Sequence, residues 1–459
     1  MRFCFRPFRR CRFGLAVVLF VLGMFPAAAV AERSPNRHRP TPPSAAATST
    51  QTSPVPTSAR APATAQVMLG VDVLEADGFR AIRGKRLGLL THPAGVNRRG
   101  ESTIDVLRRA PQSQLVALFA PEHGLYQTAA AGEHVADTVD RRTGLPVYSL
   151  HGSNSRKPSP AQLRGLDAVV IDLQDIGVRS YTFSVVMRYT VEACFEQGLE
   201  VILLDRPNPL GGQKVDGPLL DTEWMSGVGA FRIPYVHGLT MGELARWAAA
   251  TPGALAVTEA QRKRGRLTVI PMRGWRRDMR WPETGLNFVP TSQNIRDFAA
   301  VVGYAMTGLG CEGSAFTHGI GTGHPFRALA FAGRSSSQLQ SDLQSLRLPG
   351  LSFRRLKLTD ARATATERVY VEVTDWARWN PTELSFHLMR LACRYDPPNP
   401  FRGLNATQRR TFNIHVGSTA WWEALTREGA QVDVNRWVRH WRTAAEAWHR
   451  QTRPYWLYQ

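Results

Sequence analysis

The sequence predicts an α/β fold, a parallel-sheet subdomain followed by a smaller α+β subdomain, and three observations carry that prediction. Short apolar runs alternate with helical patterns over residues 68–271, and five of the runs end in His, Glu, Asp or Arg; such alternation marks βαβ units around a parallel sheet. Beyond residue 271 the pattern changes to strand-like runs at 328–332, 351–358 and 368–374 and helical periods at 337–346, 383–394 and 434–449. The part of the chain able to fold, about 390 residues, exceeds what one ordinary hydrophobic core organises.

Taken in chain order, Arg2, Arg6, Arg9, Arg10 and Arg12 precede an apolar stretch at 14–25, and Ala29-Val30-Ala31 has the small-x-small form of a cleavage site. Residues 1–31 are therefore expected to be an export signal, with an uncleaved anchor as the alternative. The apolar stretch is short for a membrane span, and no Cys stands at the cleavage point to accept a lipid. Residues 32–66, rich in Pro, Ser, Thr and Ala, cannot offset chain entropy by burial and read as a disordered linker. The expected organisation is completed by a sheet subdomain at 67–275 and an α+β subdomain at 276–459. A periplasmic or secreted protein follows, one that meets the membrane only during export.

The formal charge is +20, but nine Arg and one Glu fall in residues 1–66, which leaves about +12 on the rest. A basic exported protein suits an anionic polymer such as cell wall. Nucleic acid is not expected, because the basic residues are scattered and no zinc-finger, helix-turn-helix or RNP signature accompanies them. Of five Cys, Cys4 and Cys11 belong to the leader, and Cys194, Cys311 and Cys393 are too widely spaced to argue a disulfide or a metal site.

In an open α/β sheet ligands bind beyond the carboxyl ends of the strands, so the polar rim of the five runs is the expected site. Leu118-Phe119-Ala120-Pro121-Glu122-His123-Gly124 places a carboxylate and an imidazole there. The other runs end at Thr91-His92, at Ser149-Leu150-His151, at Asp172-Leu173-Gln174-Asp175 and at Asp205-Arg206-Pro207-Asn208.

These residues, with Gly70-Val71-Asp72, Gly88-Leu89-Leu90-Thr91-His92-Pro93-Ala94-Gly95-Val96, Asp172-Leu173-Gln174-Asp175-Ile176-Gly177-Val178-Arg179 and His237-Gly238-Leu239-Thr240-Met241-Gly242-Glu243-Leu244, follow one another as in the NamZ-type exo-β-N-acetylmuramidases, the DUF1343 domain, which the chain resembles from Gly70 onward. The resemblance implies a Rossmann-like subdomain with the active-site cleft between it and the α+β subdomain. It also implies cofactor-free release of N-acetylmuramic acid from the non-reducing ends of peptidoglycan fragments. No Gly-x-Gly-x-x-Gly follows the first strand, in keeping with the lack of a dinucleotide. The second half departs from the pattern. Thr291-Ser292-Gln293-Asn294 stands where relatives read Pro-Ser-Pro-Asn, and Glu312-Gly313-Ser314-Ala315-Phe316-Thr317-His318-Gly319-Ile320-Gly321-Thr322 where they read Glu-Gly-Thr-Asn-x-Ser-Glu-Gly-Arg-Gly-Thr. Gly323-His324-Pro325-Phe326 likewise replaces Thr-Arg-Pro-Phe.

Glycoside cleavage needs an acid for the leaving oxygen and a second group at the anomeric centre. Glu122 is expected as the acid, and the second group is Glu312, Asp172, Asp175 or the substrate's own acetamido group. His123, Gln174, Asp175, Arg179, Tyr181, Asp205, Arg206, Asn208, His237 and Asn294 are expected to bind substrate, Arg179 because a guanidinium matches the muramic carboxylate and Tyr181 as an apolar face for the sugar, a role also open to Trp275. Two other classes stay open: a wall-binding protein without chemistry, and an ester or amide hydrolase using Ser184 or Cys311.

Overall fold

The computed structural model describes residues 66–127, 136–151, 156–309, 316–359 and 365–459. The first sheet is built from β1 (Arg86–Thr91), β2 (Gln114–Ala120), β3 (Thr138–Val139), β4 (Pro146–Ser149), β5 (Ala168–Asp172), β6 (Glu200–Leu204) and β7 (Arg266–Ile270) in the order β3-β4-β2-β1-β5-β6-β7. All pairs are parallel except the edge pair β3 and β4. Without β3 the order is the doubly wound 3-2-1-4-5-6 arrangement. The chain therefore reverses direction across the sheet between β1 and β5, and the crevice beyond their ends is the switch point where such sheets bind ligands.

Period-two alternation sends the strand side chains into two cores. Leu87, Leu89, Ala168, Val170, Ile202 and Leu204 face the helices α1 (Gly70–Ala76) and α2 (Thr103–Arg108). Leu90, Val169, Ile171, Val201 and Leu203 face the opposite layer, where α3 (Pro160–Leu163), α4 (Thr182–Gln197), α5 (Met241–Ala250) and α6 (Glu259–Arg264) lie along the chain. β5 is buried along its whole length, as a strand covered on both faces must be.

The second subdomain holds a four-stranded antiparallel sheet of β8 (Phe316–Thr317), β9 (Ala328–Phe331), β10 (Leu351–Thr359) and β11 (Ala365–Val373) in the order β10-β11-β9-β8. Its helices are α7 (Phe298–Thr307), α8 (Ser336–Ser345), α9 (Glu383–Tyr395), α10 (Ala406–Val416), α11 (Thr419–Glu428) and α12 (Val434–Thr452). Its core also takes in Ile176 and Val178 from the loop after β5, and Tyr235 and Val236. The two subdomains are thus joined through the segment that leaves the switch point. After α12 the chain returns to the first sheet, where Tyr458 packs edge-on against Trp275 with ring centroids 4.9 Å apart.

Among the described residues no helix is long and apolar enough to cross a membrane. The expected leader and nearly all of the expected linker lie outside the described residues. Cys194 and Cys393 are free, buried thiols, and burial pushes Cys393 up to about 12.

Candidate active site

The turn that follows β2 carries the expected acid. Pro121 ends the strand, Gly124 N donates to Pro121 O at 3.1 Å, and His123 takes the left-handed conformation at φ 73°. That conformation is strained for a residue with a Cβ, and such strain gathers at functional sites. It aims Glu122 toward the neighbouring strand end, where its Oε1 lies 3.9 Å from Nε2 of His151, beyond β4. Glu122 keeps 15 % of its side chain exposed, so the carboxyl is sheltered yet reachable.

The ends of β1 and β5 form the floor of the switch point. Gln174 N donates to His92 Nε2 at 3.0 Å, which fixes His92 as the tautomer protonated at Nδ1. Burial first, then the Arg206 charge and His123, hold His92 well below the usual histidine range, so the ring is neutral. Gln174 spends its amide N–H groups on the carbonyls of Asp175 and Pro207. Asp175 Oδ2 accepts from Gly177 N at 2.9 Å and lies 3.5 Å from His237 Nε2. Gly177 has φ 79°, and a Cβ there would sit 2.2 Å from Asn208 Oδ1, so only glycine allows this turn. Leu239 N donates to His237 Nδ1, leaving the proton of this ring on Nε2.

Among the described residues, four buried polar atoms in this group have no hydrogen-bond partner: His92 Nδ1, Gln174 Oε1, Asp175 Oδ1 and His237 Nε2. Leaving such atoms unpaired costs roughly 1–3 kcal/mol each. Two of these atoms are donors and two are acceptors, on residues linked to one another by the contacts just given. Tyr181 stands near Asp175 and reaches toward the second subdomain: its hydroxyl donates to Thr291 Oγ1 at 2.9 Å, and burial raises its pKa. Asn294 follows on the same partly buried segment. Glu312, Cys311 and Ala315 lie outside the described residues.

Other residues singled out in the sequence are committed to the scaffold, and these expectations are corrected. Asp172, fully buried, receives Arg206 Nε at 2.5 Å and Nη2 at 2.9 Å, together with the hydroxyl of Thr103. Both oxygens are filled, so Asp172 has none for an anomeric carbon and Arg206 is spent holding it. Asp205 accepts from Tyr458, Thr240 and Gly242 N, which anchors the start of α5. Asn208 bridges Leu239 O and Leu210 N, the turn brace of an Asx motif. Arg179 donates to the carbonyls of Pro218, Ile233, His415 and Val416, the last two at the C-terminal end of α10. It is 1 % exposed and offers no fork to a ligand carboxylate; a cation at a helix C-terminus, clasping one subdomain to the other, is its physical role. Trp275 is core. Ser184 donates to Tyr181 O.

Two contacts were not anticipated. His151 enters as the neighbour of Glu122, and Ser180 Oγ meets His415 Nδ1 at 2.6 Å across the subdomain seam, beside the Tyr304 hydroxyl. His151 was visible as a strand-end residue, whereas His415 sits in a helical stretch with no motif around it. Among the described residues no group of three or more His, Cys, Asp or Glu side chains is arranged to hold a metal ion.

Residues 87–299 match the family model for the N-terminal part of exo-β-N-acetylmuramidase NamZ, and residues 302–458 match the model for its C-terminal part. The peptidoglycan β-N-acetylmuramidase NamZ of Bacillus subtilis (strain 168) is 40% identical over 314 residues, 68% of this chain and 73% of that protein. A DUF1343 family protein of Bacteroides fragilis NCTC 9343, known from its crystal structure, shares the fold with a TM-score of 0.77 at 33% identity, over 86% of this chain and 99% of that one. A second DUF1343 crystal structure from the same organism gives a TM-score of 0.63 at 25% identity over the same shares.

Proposed function

Since the chain belongs to the NamZ family of exo-β-N-acetylmuramidases, and so to the glycoside hydrolases, we propose that it removes N-acetylmuramic acid from the non-reducing ends of peptidoglycan fragments, with Glu122 as the acid that protonates the leaving oxygen. The observation that carries this assignment is the position of Glu122 at the carboxyl end of β2, held by a strained turn at the rim of the switch point and facing His151. A carboxyl so placed can give its proton to the glycosidic oxygen and, once ionised, take one from water. His92, His123, Gln174, Asp175 and His237 line the floor in this reading, and Tyr181 with Asn294 forms the far wall. Glu312 remains a further proposed contributor from the second subdomain.

Export belongs to the same proposal, supported by the arginine-rich start, the apolar stretch and Ala29-Val30-Ala31; a mature chain beginning at Glu32 would establish it. The test of the chemistry is release of sugar from a chromogenic β-N-acetylmuramide by wild type and by Glu122→Gln. The variant is expected to melt like wild type and to turn over about 10²- to 10⁴-fold more slowly. Wild-type binding of muramyl fragments without any cleavage would make the protein a wall-binding relative instead.

A further inference from the structure

Beside Glu122, the site needs a group that meets the anomeric carbon, and of the carboxylates expected for it Asp172 and Asp175 are described. Asp172 is filled by Arg206 and Thr103. Asp175 is different: it is 7 % exposed, one oxygen is tied to Gly177 N, and the other has no donor among the described residues. Next to it, His237, 1 % exposed, presents a protonated Nε2 that makes no hydrogen bond among the described residues, the Asp175 Oδ2 contact being 3.5 Å. One unpaired acceptor beside one unpaired donor, both buried, is the complement of a secondary amide, which carries an N–H and a C=O on adjacent atoms. A 2-acetamido sugar has that amide next to the carbon where the glycosidic bond breaks. A carboxylate that attacked carbon directly would have no need of the neighbouring N–H donor.

Resting on the muramidase reading above, we propose that Asp175 is a catalytic residue that grips the substrate's acetamido N–H, with His237 positioning the acetamido oxygen, so that the substrate's own amide performs the displacement. Glu122 gives its proton to the glycosidic oxygen as the bond from that oxygen to C1 breaks. The acetamido oxygen bonds to C1, and the nitrogen's proton passes to Asp175, leaving a neutral oxazoline. Water then adds to C1 from the face the leaving group vacated and yields a proton to the Glu122 carboxylate. The oxazoline C1–O bond breaks, Asp175 returns its proton to nitrogen, and the sugar leaves in its original β configuration.

The test uses wild-type full chain and a series of chromogenic β-muramides bearing acetyl, fluoroacetyl, difluoroacetyl and trifluoroacetyl groups on nitrogen, with proton NMR of the anomer first formed. The expected result is the β anomer first and kcat/KM falling with each added fluorine, because fluorine drains electron density from the attacking oxygen. Asp175→Asn, which keeps an acceptor for Gly177 N, is expected to lose about 10²- to 10⁴-fold in kcat with an unchanged melting temperature and to flatten that dependence. A merely structural Asp175 would leave the slope intact. The α anomer first, or a flat wild-type series, overturns the amide mechanism and leaves the muramidase reading standing. No turnover on any member overturns both.

Discussion

Two sets of polar side chains stand at the carboxyl ends of the same sheet, and they differ in one respect. Asp172, Arg206 and Asp205 are buried with every oxygen engaged and with partners from several segments. Asp175, His237, Gln174 and His92 are also buried, but each retains an atom without a partner among the described residues. Residue type and strand-end position are shared, so neither separates site from scaffold. What separates the two sets is satisfaction: the oxygens of Asp172 and Asp205 are all engaged, whereas each member of the second set keeps a polar atom without a partner among the described residues.

The contrast predicts that scaffold variants lose stability while the folded fraction keeps its activity, the reverse of Glu122→Gln. The largest stability effect is expected for Arg206→Ala, which leaves Asp172 as a buried, uncompensated charge at a cost of about 3–5 kcal/mol. Chemical denaturation checks this, and an Arg206→Ala protein as stable as wild type but inactive would move Arg206 into the site. Next comes Asp205, whose carboxyl burial lifts from 3.8 to about 6. The folded protein then holds the proton more tightly than the unfolded chain, so this group's contribution is greatest below about pH 4 and is lost as pH rises through about 6. Asp205→Asn should remove that slope, up to about 3 kcal/mol, in denaturation curves at about pH 4 and pH 7; identical slopes for both proteins would refute it. The smallest effect is expected for Arg179→Lys, which cannot span four carbonyls and should cost roughly 1–3 kcal/mol. The preference for N-acetylmuramic acid over N-acetylglucosamine should not change, and a selective loss of the muramic sugar would restore Arg179 to carboxylate binding.

The parallel sheet was legible because its strands are continuous apolar runs with polar ends, and α4 is one of the helical patterns that alternate with them. In the second subdomain the run at 351–358 is β10 and the helical period at 383–394 is α9. The two-residue strands β3 and β8 are too short to leave a pattern, and α7 is apolar on nearly every face, so it has no period to detect. The polar strand ends were legible, but the hydrogen bonding of each residue there was not. Arg179 reads as a carboxylate fork because its partners are backbone carbonyls 236 and 237 residues away, which any residue could supply. Asp205 reads as a ligand because Tyr458 lies 253 residues further on. Hydrogen bonding over such distances carries no local signal, and it decides which of two similar aspartates is available.

That last contact also bears on how the molecule comes into being. The Tyr458 hydroxyl is a donor to Asp205 at 2.6 Å and is itself the acceptor for Met272 N, so the interior of the first sheet is finished by a residue near the C-terminus. At about 5–20 residues per second of synthesis, on the order of 10–50 s separate the appearance of Asp205 from that of its partner. During that interval the nascent sheet carries an acidic group and a tryptophan face without their cover, so a ribosome-bound chain should remain protease-sensitive around α5 until Tyr458 emerges.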